Sequence, residues 1–355
     1  FDILFAYEHS SWDGSEPSTE GLWKQIAETN QENPTWAMAL LKHGIATMQK
    51  SDKLNKIISE FRQWHFKDIM QWNICFKYFL TLNSTNHAAF LCNVLDQTHR
   101  NAFFQTHPNA LTKSDELATK LIHAQVLNAE SGASNTYYSL TNNQAVAAYN
   151  SNIGYVTQYL NATFDKHLAN AQNSDLAIIL DAIQALLTRD TSGYAIHILM
   201  TRYNHFEHYQ PNFAHSSLLP YLNTENSQHQ MAWLGYFQCH CLTSRTHQII
   251  ESWLESILSK HNNNSDKLSD FDFNCLQLYV WSIELNYHNN ANDSLNWLNS
   301  LNSPLLSKAA SKVLTSILES RYKQQDNSEI PQWMLQYWRQ RRNGLGGPFD
   351  AEELE

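Results

Sequence analysis

The sequence predicts an all-α protein: an irregular α-solenoid of antiparallel helix pairs, with a compact multi-helix bundle or an α/α toroid as the alternative that the same pattern would produce. Three observations carry this expectation. Apolar residues recur at spacings of three and four along nearly the whole chain, the period of an amphipathic helix. Glycine and proline are scarce, 10 and 8 among 355 residues. β-Sandwiches and barrels need glycine for turns with positive φ, and nucleotide-binding α/β folds need it where backbone approaches phosphate. Strand-like composition is confined to residues 2–7.

Residues 1–17 read as a loop or extended segment and residues 18–172 as a first helical array, opening at Ser18. Asn33 before Pro34 suits an N-cap followed by the first helical position. Trp36, Leu40, Leu41, Ile45 and Met48 then supply the apolar stripe. Ser51 caps a segment with Leu54, Ile57, Ile58 and Phe61. Residues 66–82 continue it, or follow a break near His65. Residues 84–104 form another helix. Thr112 and Asp115 have capping-box spacing ahead of Leu117, Leu121 and Ile122, with Gly132 as the stop. Residues 142–171 are helical with a break at 150–152.

A second array, residues 173–342, is expected to continue the first. Ser174 caps Leu176, Ile179, Ile183 and Leu187, and Ile178, Ala182 and Leu186 widen the stripe. A helix that is apolar almost all round is expected to pack on more than one side. Residues 190–193 connect it to residues 194–203 as a helical hairpin. Ile249/Ile250, Trp253/Leu254 and Ile257/Leu258 repeat every four residues, with Glu251 and Glu255 between. Further helices are expected at 270–287, from Ser303-Pro304 onward and at 330–342. In the second of these, Ser307, Lys308, Ser311 and Lys312 form the polar face. Gly344 is a C-cap, and residues 343–355, with Asp350, Glu352, Glu353 and Glu355, read as a disordered acidic tail.

Composition narrows function. With 24 basic and 34 acidic residues the formal charge is −10, which disfavours nucleic acid as the ligand. No apolar run approaches the ~18–20 residues of a membrane span. Cys75, Cys92, Cys239, Cys241 and Cys275 are an odd number in apolar surroundings. They read as reduced core residues, and the expected compartment is the cytoplasm. Nucleophile elbow, P-loop and dinucleotide fingerprint are absent from the sequence.

Five groups of residues stand out. Among the 17 histidines, His205, Glu207, His208 and His215 are the densest candidate metal set, since imidazoles with a carboxylate suit zinc or iron. The plain alternative is polar histidines at helix ends. Cys239 and Cys241 flank His240, but alternate helical residues point about 200° apart and cannot share one ion. Asp96 and His99 have a spacing that orients an imidazole for base catalysis or makes a surface hydrogen bond. Glu8 and Asp13, near Trp12, suit a sugar-hydrolysing edge or a capping loop. Trp333, Tyr337, Trp338, Arg339, Arg341 and Arg342 form a basic–aromatic cluster, either a docking surface for an acidic partner or the cap of the last layer with its arginines in water.

The expected function is a non-catalytic helical scaffold or adaptor that grips a protein or peptide partner in a groove between helices. No catalytic residue and no cofactor is assigned. The alternative is an all-α enzyme, either a carbohydrate-active toroid or a His-based metalloenzyme built on Glu8, Asp13 or the histidines at 205–215.

Overall fold

Asn33 and Pro34 do what their order implies. The Trp36 N–H donates to the Asn33 Oδ1 at 3.1 Å, and Pro34 opens a helix that runs to Thr47. The structure is a computed structural model that describes residues 19–47, 69–107, 112–124, 127, 140–169, 173–239, 242–260, 267–288, 291–301, 303–323 and 330–344. Among these residues every regular element is helical and no strand occurs. The extended segment at 2–7, Glu8, Asp13, the segment capped by Ser51, Gly132, Cys241 and the tail beyond Gly344 lie outside the described residues.

The chain divides into two compact units, Phe1–Leu199 and Met200–Glu355. The first contains α1 (Thr19–Glu32), α2 (Pro34–Thr47), α3 (Ile69–Thr81), α4 (Ala88–Arg100), α5 (Ala102–Thr106), α6 (Thr112–His123), α7 (Leu140–Tyr149), α8 (Asn152–Ala169) and α9 (Asn173–Arg189), and α10 (Tyr194–Met200) reaches its end. Helix α8 packs on α4 and α9, and α6 packs on α3, α4 and α9. Trp72, Phe76, Phe79 and Phe104 are wholly buried, with the Trp72 and Phe104 rings edge-on at 4.6 Å. Each such side chain contributes about 1.5–3 kcal/mol by leaving water.

The expected break at 150–152 separates α7 from α8. Ser151 Oγ accepts the Gly154 N–H at 2.9 Å and donates to the Ala148 carbonyl at 2.8 Å, so one hydroxyl ends one helix and caps the next. Residue 154 must be glycine because a Cβ there would lie 1.8 Å from the Ala148 carbonyl oxygen. Between α9 and α10 the Asp190 carboxylate accepts N–H groups from Ser192, Gly193 and Ala195 at 2.7–3.1 Å, and Gly193 supplies φ 77°. Helix α9 departs from expectation: Ile178 is 60% exposed, so the helix buries one face, with Leu176, Ile179, Ile183 and Leu186, and carries an extra isoleucine in water.

The second unit contains α11 (Tyr203–Tyr209), an irregular run through a π turn at Ala214–Leu218 and a 3₁₀ turn at Leu219–Leu222, then α12 (His229–Cys239), α13 (Ser244–Ser259), α14 (Asp270–Glu284), α15 (Ala291–Ser300), α16 (Pro304–Lys323) and α17 (Gln332–Arg342). Helix α14 packs on α13 and on α16, and α15 contacts α16 and α17. The 3₁₀ turn is anchored by Trp233, whose indole N–H donates to the Leu222 carbonyl at 2.8 Å. The supposed polar face of α16 is corrected by the fold: Ser307 and Ser311 are buried. The Tyr337 hydroxyl donates to the Ser307 carbonyl at 3.2 Å and pairs with Ser311 Oγ at 3.2 Å. A buried phenol needs polar partners, and small hydroxyl residues provide them without blocking the close approach of α17.

Candidate functional site

Helix α13 begins where Thr243 Oγ1 accepts the Thr246 N–H at 3.1 Å. Its ridge of His247, Ile250, Leu254, Ile257 and Leu258 is buried. His247, Glu251 and Glu255 follow at intervals of four, which places them along one stripe of the helix. The facing element is the end of α14. Asn286 takes φ 57°, a left-handed conformation that asparagine tolerates. Its N–H bonds to the Ile283 carbonyl at 3.1 Å and the Tyr287 N–H to the Ser282 carbonyl at 3.0 Å. This pair of bonds is a Schellman stop. The Tyr287 hydroxyl then ties the turn to the Leu242 carbonyl at 3.2 Å, and His288 is brought to α13.

The result is a cluster of His247, Glu251 and His288 whose ligand atoms lie within 4.8 Å of one another. It is the one such group of three among the described residues. The two imidazoles meet edge-on with centroids 4.4 Å apart. His288 Nδ1 is 2.8 Å from Glu251 Oε1 and 2.8 Å from Ser294 Oγ, and its Nε2 is 2.6 Å from Ser282 Oγ. His247 is fully buried, and neither of its ring nitrogens has a hydrogen-bond partner. A buried polar group left unpaired costs about 1–3 kcal/mol, so an orphaned imidazole needs a reason. Burial lowers the pKa of both rings to about 4, with the neighbouring His288 adding to the effect on His247. Both are neutral near pH 7, the state that ligates metal.

The cluster opens on a cleft of about 460 Å³, a volume in the range of small-molecule sites. Glu251, Glu255 and Asp293 place three carboxylates on it, and Tyr287 and Trp297 place two aromatic rings. Among the described residues lining it none is Lys or Arg. The Tyr279 hydroxyl donates to Glu255 Oε1 at 3.3 Å. Burial, with a smaller push from Glu251, raises the Glu255 pKa, and the Tyr279 hydrogen bond opposes that rise.

The histidines expected to bind metal are arranged otherwise. Glu207 Oε1 accepts from Thr243 Oγ1 at 2.8 Å and Thr246 Oγ1 at 2.5 Å, and lies 3.2 Å from His215 Nε2. His205 and His208 each meet the Tyr209 ring edge-on, with centroids 4.8 and 4.5 Å away. The structure thus brings Glu207 and His215 together but gathers no three of the four as ligands, because α11 aims His205 and His208 at Tyr209.

Asp96 is buried and pairs with Arg100 at 2.9 Å, so it does not orient His99 as a catalytic base would need; His99 Nδ1 is buried without a partner. Cys75, Cys92, Cys239 and Cys275 are buried, and Cys239 Sγ accepts the Asn204 N–H at 3.2 Å. In the C-terminal cluster, Tyr337 and Arg341 are wholly buried and are unavailable to a partner. Trp333 and Trp338 are half-buried, and Arg339 and Arg342 are exposed. Of the six residues, Arg339 and Arg342 are the ones that reach fully into water.

Sequence reasoning missed His247, Glu251 and His288. The available signal was the polar stripe His247–Glu251–Glu255 between the apolar pairs of α13. Comparison of the chain with protein families, with curated proteins and with solved structures finds no match.

Proposed function

We propose that the second unit is a binding module for a small organic cation, held in the cleft between α13 and α15. The observation that carries this reading is the lining: three carboxylates and two aromatic rings around about 460 Å³, with no basic side chain among the described lining residues. Glu255 and Asp293 supply charge for an ammonium group. Trp297 offers a ring face on which the cation is attracted by the ring quadrupole. Carboxylates crowded in a partly dry cleft repel each other, and a bound cation relieves that repulsion.

Titration calorimetry with cadaverine on untagged protein tests the reading. Saturable binding is expected. Glu255→Gln, Asp293→Asn and Trp297→Ala should each weaken it, the carboxylate changes at least tenfold, or about 1.4 kcal/mol. The neutral analogue 1-pentanol should not bind. No saturation up to millimolar cadaverine, or equal affinity in both carboxylate variants, overturns it.

A second reading has its own support. A solenoid-like scaffold that grips a protein partner would use exposed apolar helix surface, and Ile69, Met70 and Ile74 of α3 are 42%, 71% and 58% exposed. Under that reading a Met70→Glu/Ile74→Glu variant loses a partner that co-purifies with the wild type from its native source and still binds cadaverine. Retention of the same partner by the variant removes α3 from consideration.

A further inference from the structure

We propose that His247, Glu251 and His288 bind one divalent transition-metal ion of the zinc class. The proposal shares Glu251 with the lining of the cleft, but Glu255, Asp293 and Trp297, on which the organic-cation reading is tested, are not among the ligands.

The arrangement of protons points to a missing cation. Ser282 Oγ lies 2.6 Å from the Tyr279 carbonyl oxygen. A carbonyl oxygen only accepts, so the hydrogen in that contact belongs to Ser282. Ser282 Oγ therefore accepts from His288, and the ring proton of His288 sits on Nε2. In the neutral ring Nδ1 is then a lone pair. Ser294 Oγ, 2.8 Å away, can donate its hydroxyl proton to that lone pair, but Glu251 Oε1, also 2.8 Å away, meets the same nitrogen as a second acceptor. A cation resolves this conflict. A second proton on His288 would serve Nδ1 and Glu251, yet it would leave both nitrogens of the buried His247 unpartnered. A metal ion serves all three groups at once.

The donor set is chemically suitable. Two neutral imidazoles and a carboxylate match catalytic zinc sites and related iron sites, which keep coordination positions open for water or ligand. The Ser282 hydroxyl on the outer nitrogen of His288 is the kind of hydrogen bond that fixes a ligand's tautomer. Metal–ligand bonds of about 2.0–2.2 Å place donor atoms of one ion about 3.3 Å apart. Glu251 must swing away from His288 by about half an ångström, and ligand atoms now up to 4.8 Å apart must draw together around the ion. The Glu251 side chain is 38% exposed and has room to move, whereas the His288 side chain, at 2%, is held. Glu251 and His288 also line the cleft, so an ion here adjoins the space where a ligand would sit.

The test uses the full chain without an affinity tag, stripped with chelator. Calorimetry with Zn²⁺ and visible absorption with Co²⁺ should each show one equivalent bound, and the Co²⁺ bands should be intensified as in low-symmetry four- or five-coordinate sites. Glu251→Gln should weaken both ions at least tenfold and His247→Gln should abolish the Co²⁺ bands. A His205→Ala/His208→Ala variant should bind as the wild type does. Asp293→Asn should lose cadaverine and keep the metal, which separates this proposal from the cleft reading. Circular dichroism monitors folding; if His247→Gln unfolds, the exposed Glu251→Gln decides alone. Failure of the wild type to bind either ion stoichiometrically, or unchanged affinity in Glu251→Gln, overturns the proposal.

Discussion

His288 owes its position to residues whose importance is not written in their own types. Asn286 stops α14 in a left-handed conformation, Tyr287 anchors the turn to Leu242, and Ser282 Oγ holds His288 Nε2 at 2.6 Å. None of these is a ligand, and each is common in ordinary helix ends. This explains why the site was hard to read from the sequence. The residues at 205–215 are dense in histidine along the chain, and density draws the eye, but a ligand set requires convergence in space. Only the half of the cluster on α13 leaves a linear trace, as His247 and Glu251 one helical turn apart. His288 reaches them across the loop and the whole of α14. The same limit explains Arg341, which reads as a surface cation and is buried, because the sequence does not say which way α17 faces.

At the level of elements most of the fold was legible, because a helix start is local chemistry. Asn33-Pro34, Ser303-Pro304 and the Asp190–Gly193 connector behave as their residue types require. Side-chain destinations were less legible, as the buried Ser307 and exposed Ile178 show. Partners from other helices decide those. The corner between α7 and α8 gives a sharp test of the local reasoning. A Cβ at residue 154 would meet the Ala148 carbonyl oxygen at 1.8 Å and its carbon at 2.9 Å. Both are backbone atoms and cannot rotate aside. Gly154→Ala gains helix propensity of about 1 kcal/mol but must displace α7 from α8. The net effect should be destabilisation of about 2 kcal/mol or more, with Tm falling by several degrees. Thermal unfolding followed by circular dichroism checks this. A Tm equal to or above the wild type would mean that the corner relaxes freely.

At the scale of the whole molecule, buried histidines contribute to the loss of stability in acid. The chain has 17 of them and a net charge of −10 at pH 7, and several titrate below their ordinary range. Burial, then the Lys166 and Arg100 charges, lowers His99 to about 3. Burial lowers His87 as well, and the two cluster histidines to about 4. In each case the unfolded chain takes up the proton first, near pH 6.5. Stability is therefore full above that value and falls as the pH drops toward the folded-state pKa. Glu255 acts in the opposite sense: its raised pKa makes the folded chain bind the proton first and offsets part of the loss at acid pH. His99 alone should account for about 2 kcal/mol between neutral pH and pH 5. Because its Nδ1 is buried without a partner, His99→Gln removes the titration without removing a hydrogen bond at that nitrogen. Denaturant unfolding of the metal-free protein at pH 7.5 and pH 5 should show a smaller acid loss in His99→Gln by about that amount. Equal losses in wild type and variant would show that His99 is protonated in the fold as readily as in the unfolded chain, and that the acid limb belongs to other groups.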